Sequence, residues 1–427
     1  MNTKPLNRSV STTAIEQFRQ FFDKCSLKKW LPFMGPAYLV SVGYIDPGNW
    51  ATNIEGGARF GYQLLWVLLI SNLMAIILQS LSVKLGIATG KSLAENMKIH
   101  FAKPLYFFLF MTALIAAMAT DLAEFFGAAL GIHILFGIPL FPSAFITGII
   151  VFAILALHRY GYRQIEMIIF GFVSIVAFAY ILELFLVKPD VGLIMKHTFI
   201  PELDAKSIFV AIGMLGATVM PHNLFLHSGV VITRINSDLE HNKKIYKYAI
   251  IDSLFALNTA WFINSSMIIM AAAAFFSNGH IVSSIEGAYQ TLTPLLGGFA
   301  SFAFAIALLS SGLSSSVTGT IAGQYILQGF INRSIPFWVQ RLVTMIPALI
   351  VIGLGVNTFK ALITSQVILS LQLPFTIIPL IILTRNKEVM GKYFVNKPYM
   401  NKIAGTIALL IIFLNSLLLY QTFSGMF

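Results

Sequence analysis

The chain is poor in what a soluble protein is built from. Charged residues make up 11% of its 427, against roughly 25% in soluble globular chains, while 57% are hydrophobic. A water-soluble domain is excluded, because that much apolar surface cannot be hidden from water. There is one cysteine, Cys25, which rules out an intrachain disulfide and any multi-cysteine metal site and reads as an incidental thiol. No His-Glu-x-x-His occurs, which removes a zinc metalloprotease of the membrane. Residues 1–29 are polar and basic, without an apolar core followed by a small-residue cleavage site. The first apolar span is therefore expected to act as the membrane-targeting element.

Long apolar runs are what the chain has instead, with a mean hydropathy of +0.81. A bilayer-crossing helix needs about 20 mostly apolar residues, and the sequence supplies such windows at 32–60, 63–88, 104–131, 138–157, 164–187, 207–233, 248–276, 296–330, 335–355, 359–384 and 399–423. The expectation is an all-α integral membrane protein of about eleven spans, with residues 1–31 as a cytoplasmic tail. Its net charge of +11 could suggest nucleic-acid binding, but the basic residues sort by membrane side. With the N-terminus inside, 22 of the 28 Lys and Arg fall on cytoplasmic segments and five outside, leaving Arg341 within a span. That positive-inside bias predicts a cytoplasmic N-terminus and an extracellular C-terminus.

Two spans carry the same interruption: Asp46-Pro47-Gly48-Asn49 in the first and Met220-Pro221-His222-Asn223 in the sixth. The prolines, like the asparagines, stand 174 residues apart, five spans on, so the second copy enters the membrane from the opposite side. This is the footprint of an inverted repeat, 32–187 against 207–384, with the site expected where two broken helices meet. Span eleven, 399–423, lies outside the repeat.

An ionisable side chain at bilayer depth is costly and needs a partner; for Asp46 the most economical one is a cation. Asn49, three residues on, can offer an amide oxygen to the same point, and unwinding of the sixth span frees the Ala217 carbonyl beside the Met220 thioether. A mixed oxygen and sulfur shell favours manganese, iron or their neighbours over magnesium and calcium. Gln366 and Gln372 lie in the apolar tenth span, either of them completing a coordination shell or bonding a neighbouring helix. Asp121 and Glu124 share one face of the third span and mark an ion or proton pathway. His222 either relays a proton or packs as a satisfied histidine; His227 reads as packing. Arg341 either pairs with the two acids or snorkels to the cytoplasmic side. Glu55, Glu183 and Asp252 read as charges at span ends.

At these residues the sequence resembles the NRAMP family of proton-coupled divalent metal transporters, and within it the bacterial manganese importers. The likeness covers nearly all of 30–385. It is carried by Asp46-Pro47-Gly48-Asn49, by Ala217-Thr218-Val219-Met220-Pro221-His222, by the Asp-Leu-Ala-Glu run at 121–124, by the segment from Gly323 to Phe330 and by Ser365-Gln366-Val367. The resemblance implies a LeuT-like fold and a metal held by Asp46, Asn49, Met220 and the Ala217 carbonyl. It further implies proton passage through Asp46, Asp121, Glu124 and His222. One departure stands out: Gln340 takes the place of the first of two arginines frequent in the family, leaving Arg341 alone. The expected activity is proton-coupled import of Mn2+, Fe2+ and similar ions across the cell membrane by alternating access, with no resident cofactor, nucleic acid or obligate protein partner. A same-fold amino-acid symporter would need a bare helix N-terminus for the substrate carboxylate, which Asp46 would repel.

Overall fold

The computed structural model describes residues 35–157, 162–204, 206–280, 282, 284–331 and 336–423. The tail expected at 1–31, with Cys25, and the opening residues of the first span lie outside them. Among the described residues there is no strand. Among them eight helices are long and apolar enough to cross a bilayer, and three shorter apolar ones accompany them, Pro36–Ile45, Leu140–Ala156 and Trp338–Gly353. Together they fall on the eleven expected spans.

In chain order the first span is α1 (Pro36–Ser41), a 3-10 turn (Val42–Ile45) and α2 (Pro47–Phe60). There follow α3 (Leu65–Thr89), the short α4 (Leu93–His100), α5 (Lys103–Phe136), α6 (Leu140–Ala156) and α7 (Tyr162–Val187). After the short α8 (Val191–Phe199), the sixth span is again double, α9 (Ser207–Thr218) and α10 (Pro221–Val230). The rest is α11 (Leu239–Ala274), the short α12 (Ile285–Leu296), α13 (Gly298–Ile331), α14 (Phe337–Gly353), α15 (Thr358–Arg385), the short α16 (Lys387–Phe394) and α17 (Pro398–Phe423).

Both interruptions follow from proline chemistry. A helical carbonyl bonds the N–H four residues on, and proline has none. Pro47 therefore orphans the carbonyl of Gly43, which takes a longer bond of 3.4 Å from the Asp46 N–H instead. Pro221 orphans that of Ala217 in the same way. Each half-helix beyond a break starts on an extended residue, Asp46 (ψ 163°) and Met220 (ψ 123°).

Backbone carbonyls at membrane depth must find donors within the protein, and two other helices provide them at the first break. Asn264 of α11 donates to the Tyr44 carbonyl at 2.5 Å. Ser311 of α13 donates to the Ile45 carbonyl at 2.5 Å, and the Trp50 indole donates to the same oxygen at 3.2 Å. The far end of α1 is also held. Asp252 of α11, read from sequence as a span-end charge, is almost wholly buried and accepts from the N–H groups of Gly35 and Ala37 at 3.2 and 3.0 Å.

The helices behind the breaks approach closely through small residues, as interfaces between membrane helices do. A side chain at Gly312 of α13 would come within 2.7 and 2.9 Å of the Ala128 Cα and Cβ on α5. Gly127 of α5 faces the Pro47 ring so tightly that a Cβ there would overlap it. The third and eighth spans thus form a wall against which the first break is seated.

Candidate functional site

The two breaks face each other and are joined by Asn49. Its side-chain amide donates to Asp46 Oδ1 at 2.7 Å and to the Ala217 carbonyl at 3.0 Å, while its N–H donates to the same Asp46 oxygen at 2.9 Å. Asp46 is therefore the N-cap of α2, where an anion is favoured by the helix dipole. Of the carbonyls freed at the two breaks, that of Ala217 at the end of α9 is the one joined to this place, through Asn49.

Asp46, Asn49, Ala217, Met220 and Gln366 are all fully buried. Gln366, on α15, lies against Gly48: a Cβ on that glycine would overlap the glutamine amide and stand 3.0 Å from Asp46 Oδ2. Its Nε2 donates to the neighbouring Ser365 hydroxyl at 3.3 Å, and the amide faces the site rather than tying α15 to a distant helix. Met220 holds the position between α9 and α10 and makes no cap bond to the helix start.

Three acceptor oxygens here make no hydrogen bond of good geometry, Asp46 Oδ2, Asn49 Oδ1 and Gln366 Oε1, although the Gly48 N–H and the Gln366 amide lie close to the Asp46 carboxylate. A buried acceptor left unmatched costs about 1–3 kcal/mol, more when charged, and native proteins rarely tolerate a group of them. The amide nitrogens of Asn49 and Gln366 face the Asp46 carboxylate; a cation beside Asp46 Oδ2 would be met by their oxygens once the two amides turn over. Among the described residues no three of His, Cys, Asp and Glu converge as in a resident metal centre.

The remaining polar residues lie one helix away. Arg341 of α14 is fully buried, not snorkelled, and forms a buried ion pair with Asp121 of α5. Its guanidinium also reaches Thr320 and Ser316 hydroxyls at 3.4 and 3.3 Å and stands 5.3 Å over the Phe125 ring. Glu124 is fully buried, both its oxygens lack donors, and it sits against Gly319. His222 bonds through Nδ1 to the Thr120 hydroxyl at 3.2 Å, next to Asp121 in sequence, so α10 touches α5 beside the ion pair. Gln340 donates to the Thr320 carbonyl.

Several participants were not singled out from sequence. Asn264 and Ser311 anchor the first break, and an isolated asparagine in an apolar span was the available signal. Gln79 joins the Tyr44 hydroxyl at 2.7 Å to His227 at 2.9 Å, so His227 is a bonded histidine within the packing. Glu183 of α7 is fully buried and its oxygens lack donors, against its reading as an interfacial charge.

Two helices broken at membrane depth, facing each other within a bundle of spans related by an inverted repeat, define a transporter of the LeuT-like architecture, not an enzyme. The chain belongs to the Nramp family: the family model for natural resistance-associated macrophage protein-like chains matches residues 37–421. A relative in Caldanaerobacter subterraneus subsp. tengcongensis, the divalent metal cation transporter MntH, is 50% identical over 402 residues, covering 93% of this chain and 95% of its own. The crystal structure of the Eremococcus coleocola manganese transporter in complex with an aromatic bis-isothiourea substituted compound is similar at a TM-score of 0.83 and 34% identity, covering 91% of this chain and 86% of that one. Mhp1, a nucleobase-cation-symport-1 family transporter in a closed conformation, shares the fold alone, at a TM-score of 0.60 and 16% identity over 90% of this chain and 92% of that one.

Proposed function

We propose that the protein imports divalent transition-metal ions, Mn2+ foremost with Fe2+ and similar ions beside it, together with protons across the cell membrane by alternating access. The observation that carries this reading is the fully buried Asp46 carboxylate at the first break, with Asn49 joining it to the Ala217 carbonyl of the second break and Gln366 against Gly48. In it the ion is held by Asp46, Asn49, the Ala217 carbonyl and the Met220 thioether, with Gln366 completing the shell. Oxygen ligands supply charge and dipole, and the softer thioether tilts selectivity away from Ca2+ and Mg2+.

Proton and metal compete for the Asp46 carboxylate. A proton leaving it has a chain of polar groups on α5, α10 and α14: His222, Glu124 and Asp121 with Arg341. With the N-terminus cytoplasmic and the C-terminus extracellular, the repeats at 32–187 and 207–384 re-pack around the ion to open the site inward, and the span at 399–423 stands outside that exchange. An inside-negative potential assists by roughly 2.3 kcal/mol per positive charge per 100 mV.

The test is uptake of radioactive manganese into proteoliposomes with and without an inward proton gradient. Uptake accelerated by the gradient, accompanied by acidification of the lumen, is expected. Manganese uptake without proton movement would remove the coupling, and no uptake of any divalent metal would remove the function.

A further inference from the structure

Asn223 is fully buried and neither atom of its amide has a hydrogen-bond partner. It stands 174 residues after Asn49, and Ala217 stands 174 residues after Gly43. The internal repeat therefore pairs Asn49 with Asn223 and Gly43 with Ala217. Each member of the second pair is the residue whose carbonyl a proline four positions on leaves orphaned. Asn49 reaches across to the orphan of the other repeat, the Ala217 carbonyl, at 3.0 Å. Asn223 reaches across in the same sense: its amide lies on Gly43, where a Cβ would approach its Oδ1 and Cγ to 2.9 and 3.0 Å. There the correspondence stops, since the Gly43 carbonyl is taken up locally by the Asp46 N–H in a long bond of 3.4 Å. Of two equivalent cross-repeat ties, one is fastened and its counterpart is in contact but unfastened.

We propose that Asn223 is a positioning residue, a latch that donates to the Gly43 carbonyl in the oppositely facing arrangement, as Asn49 donates to that of Ala217 in this one. Two inverted repeats that exchange conformations exchange the environments of paired residues, so a tie made by one copy in one state belongs to the other copy in the other state. An amide buried with no partner costs free energy in this arrangement and regains it in the other, so Asn223 sets how readily the two interconvert. Glycine at 43 is required, because any side chain would displace the amide.

The inference rests on the metal-transport reading above and is tested separately from it. Manganese binding to the solubilised protein by calorimetry and maximal manganese uptake in proteoliposomes are measured for wild type, Asn223→Ala, Gly43→Ala and the double variant. For Asn223→Ala, maximal uptake falls about fivefold to tenfold, the effect of one hydrogen bond lost from one state, while manganese affinity stays within about threefold. Gly43→Ala approaches the same contact from the other side and is also slow. The double variant discriminates: if Asn223 merely fills space, its truncation makes room for the new Cβ and restores uptake, whereas a latch leaves the double as slow as Asn223→Ala. Uptake at the wild-type rate in Asn223→Ala or in the double variant overturns the inference alone. Affinity falling as far as rate would make Asn223 a metal ligand and overturn the latch. A wild type that neither binds nor transports manganese overturns the functional reading, and the inference with it.

Discussion

The two breaks share a proline, an asparagine and a spacing, yet they are held in different ways. The first is tied by donors from two other helices, Asn264 and Ser311, and by its own Trp50. Its second half-helix is capped by the Asp46 carboxylate. The second is bridged to the first through Asn49 on the Ala217 carbonyl, and its half-helix starts on Met220 without a side-chain cap. One break is charged and anchored, the other soft and lightly tied. Under the proposed function, the first break would supply binding strength and the second selectivity and movement.

The strongest way to break this comparison is to remove the charge. Asp46→Ala takes away the cap and the carboxylate ligand, and manganese affinity by calorimetry is expected to fall by at least on the order of 100-fold, beyond what loss of an outer-shell partner costs. Binding that survives would place the ion elsewhere. Next comes the wall the second break leans on through His222 and Thr120. Arg341→Ala strands Asp121 as a buried unpaired charge, and truncating one member of such a pair costs roughly 3–5 kcal/mol, visible as a lowered midpoint in thermal unfolding of the solubilised protein. Arg341→Lys recovers only part of this, because an ammonium cannot span Asp121, Ser316 and Thr320 together.

Smaller effects sharpen the contrast. Asn264→Ala leaves the Tyr44 carbonyl without its donor, a loss of about 1–3 kcal/mol, and is expected to speed hydrogen exchange in α1 more than in α9. Equal acceleration in both would show that the first break is no better anchored than the second. The mildest change in manganese handling is expected from Met220→Ala: affinity stays within a few-fold, but competition by Ca2+ and Mg2+ in the uptake assay rises, since the thioether discriminates rather than anchors.

Much of this was legible in the sequence because a bilayer leaves few choices. Apolar runs of spanning length placed the helices, and the matched prolines placed the breaks. Asp46 and Asn49 stand three residues apart at a helix start, a spacing that dictates the cap. What escaped was what depends on which helices become neighbours. Nothing in the order of residues says that Asn264 meets Tyr44, that Ser311 meets Ile45, or that Asp252 closes the start of α1. Arg341 was open between pairing and snorkelling, because a position one turn from a span end allows both, and packing against α5 decides for pairing. Glu183 looked interfacial by its distance from the end of its span, but its neighbours cover it completely.

The central claim is that a transition-metal ion sits between the two breaks, with oxygens of Asp46 and Asn49 from the first and the Ala217 carbonyl and Met220 sulfur from the second. Its most direct test is anomalous diffraction at the manganese absorption edge from manganese-soaked crystals, collected for wild type and Asp46→Ala. A single strong peak in contact with Asp46, Asn49 and the Met220 sulfur in the wild type, gone in the variant, is the predicted result. A peak elsewhere, or one that persists without Asp46, would contradict the account.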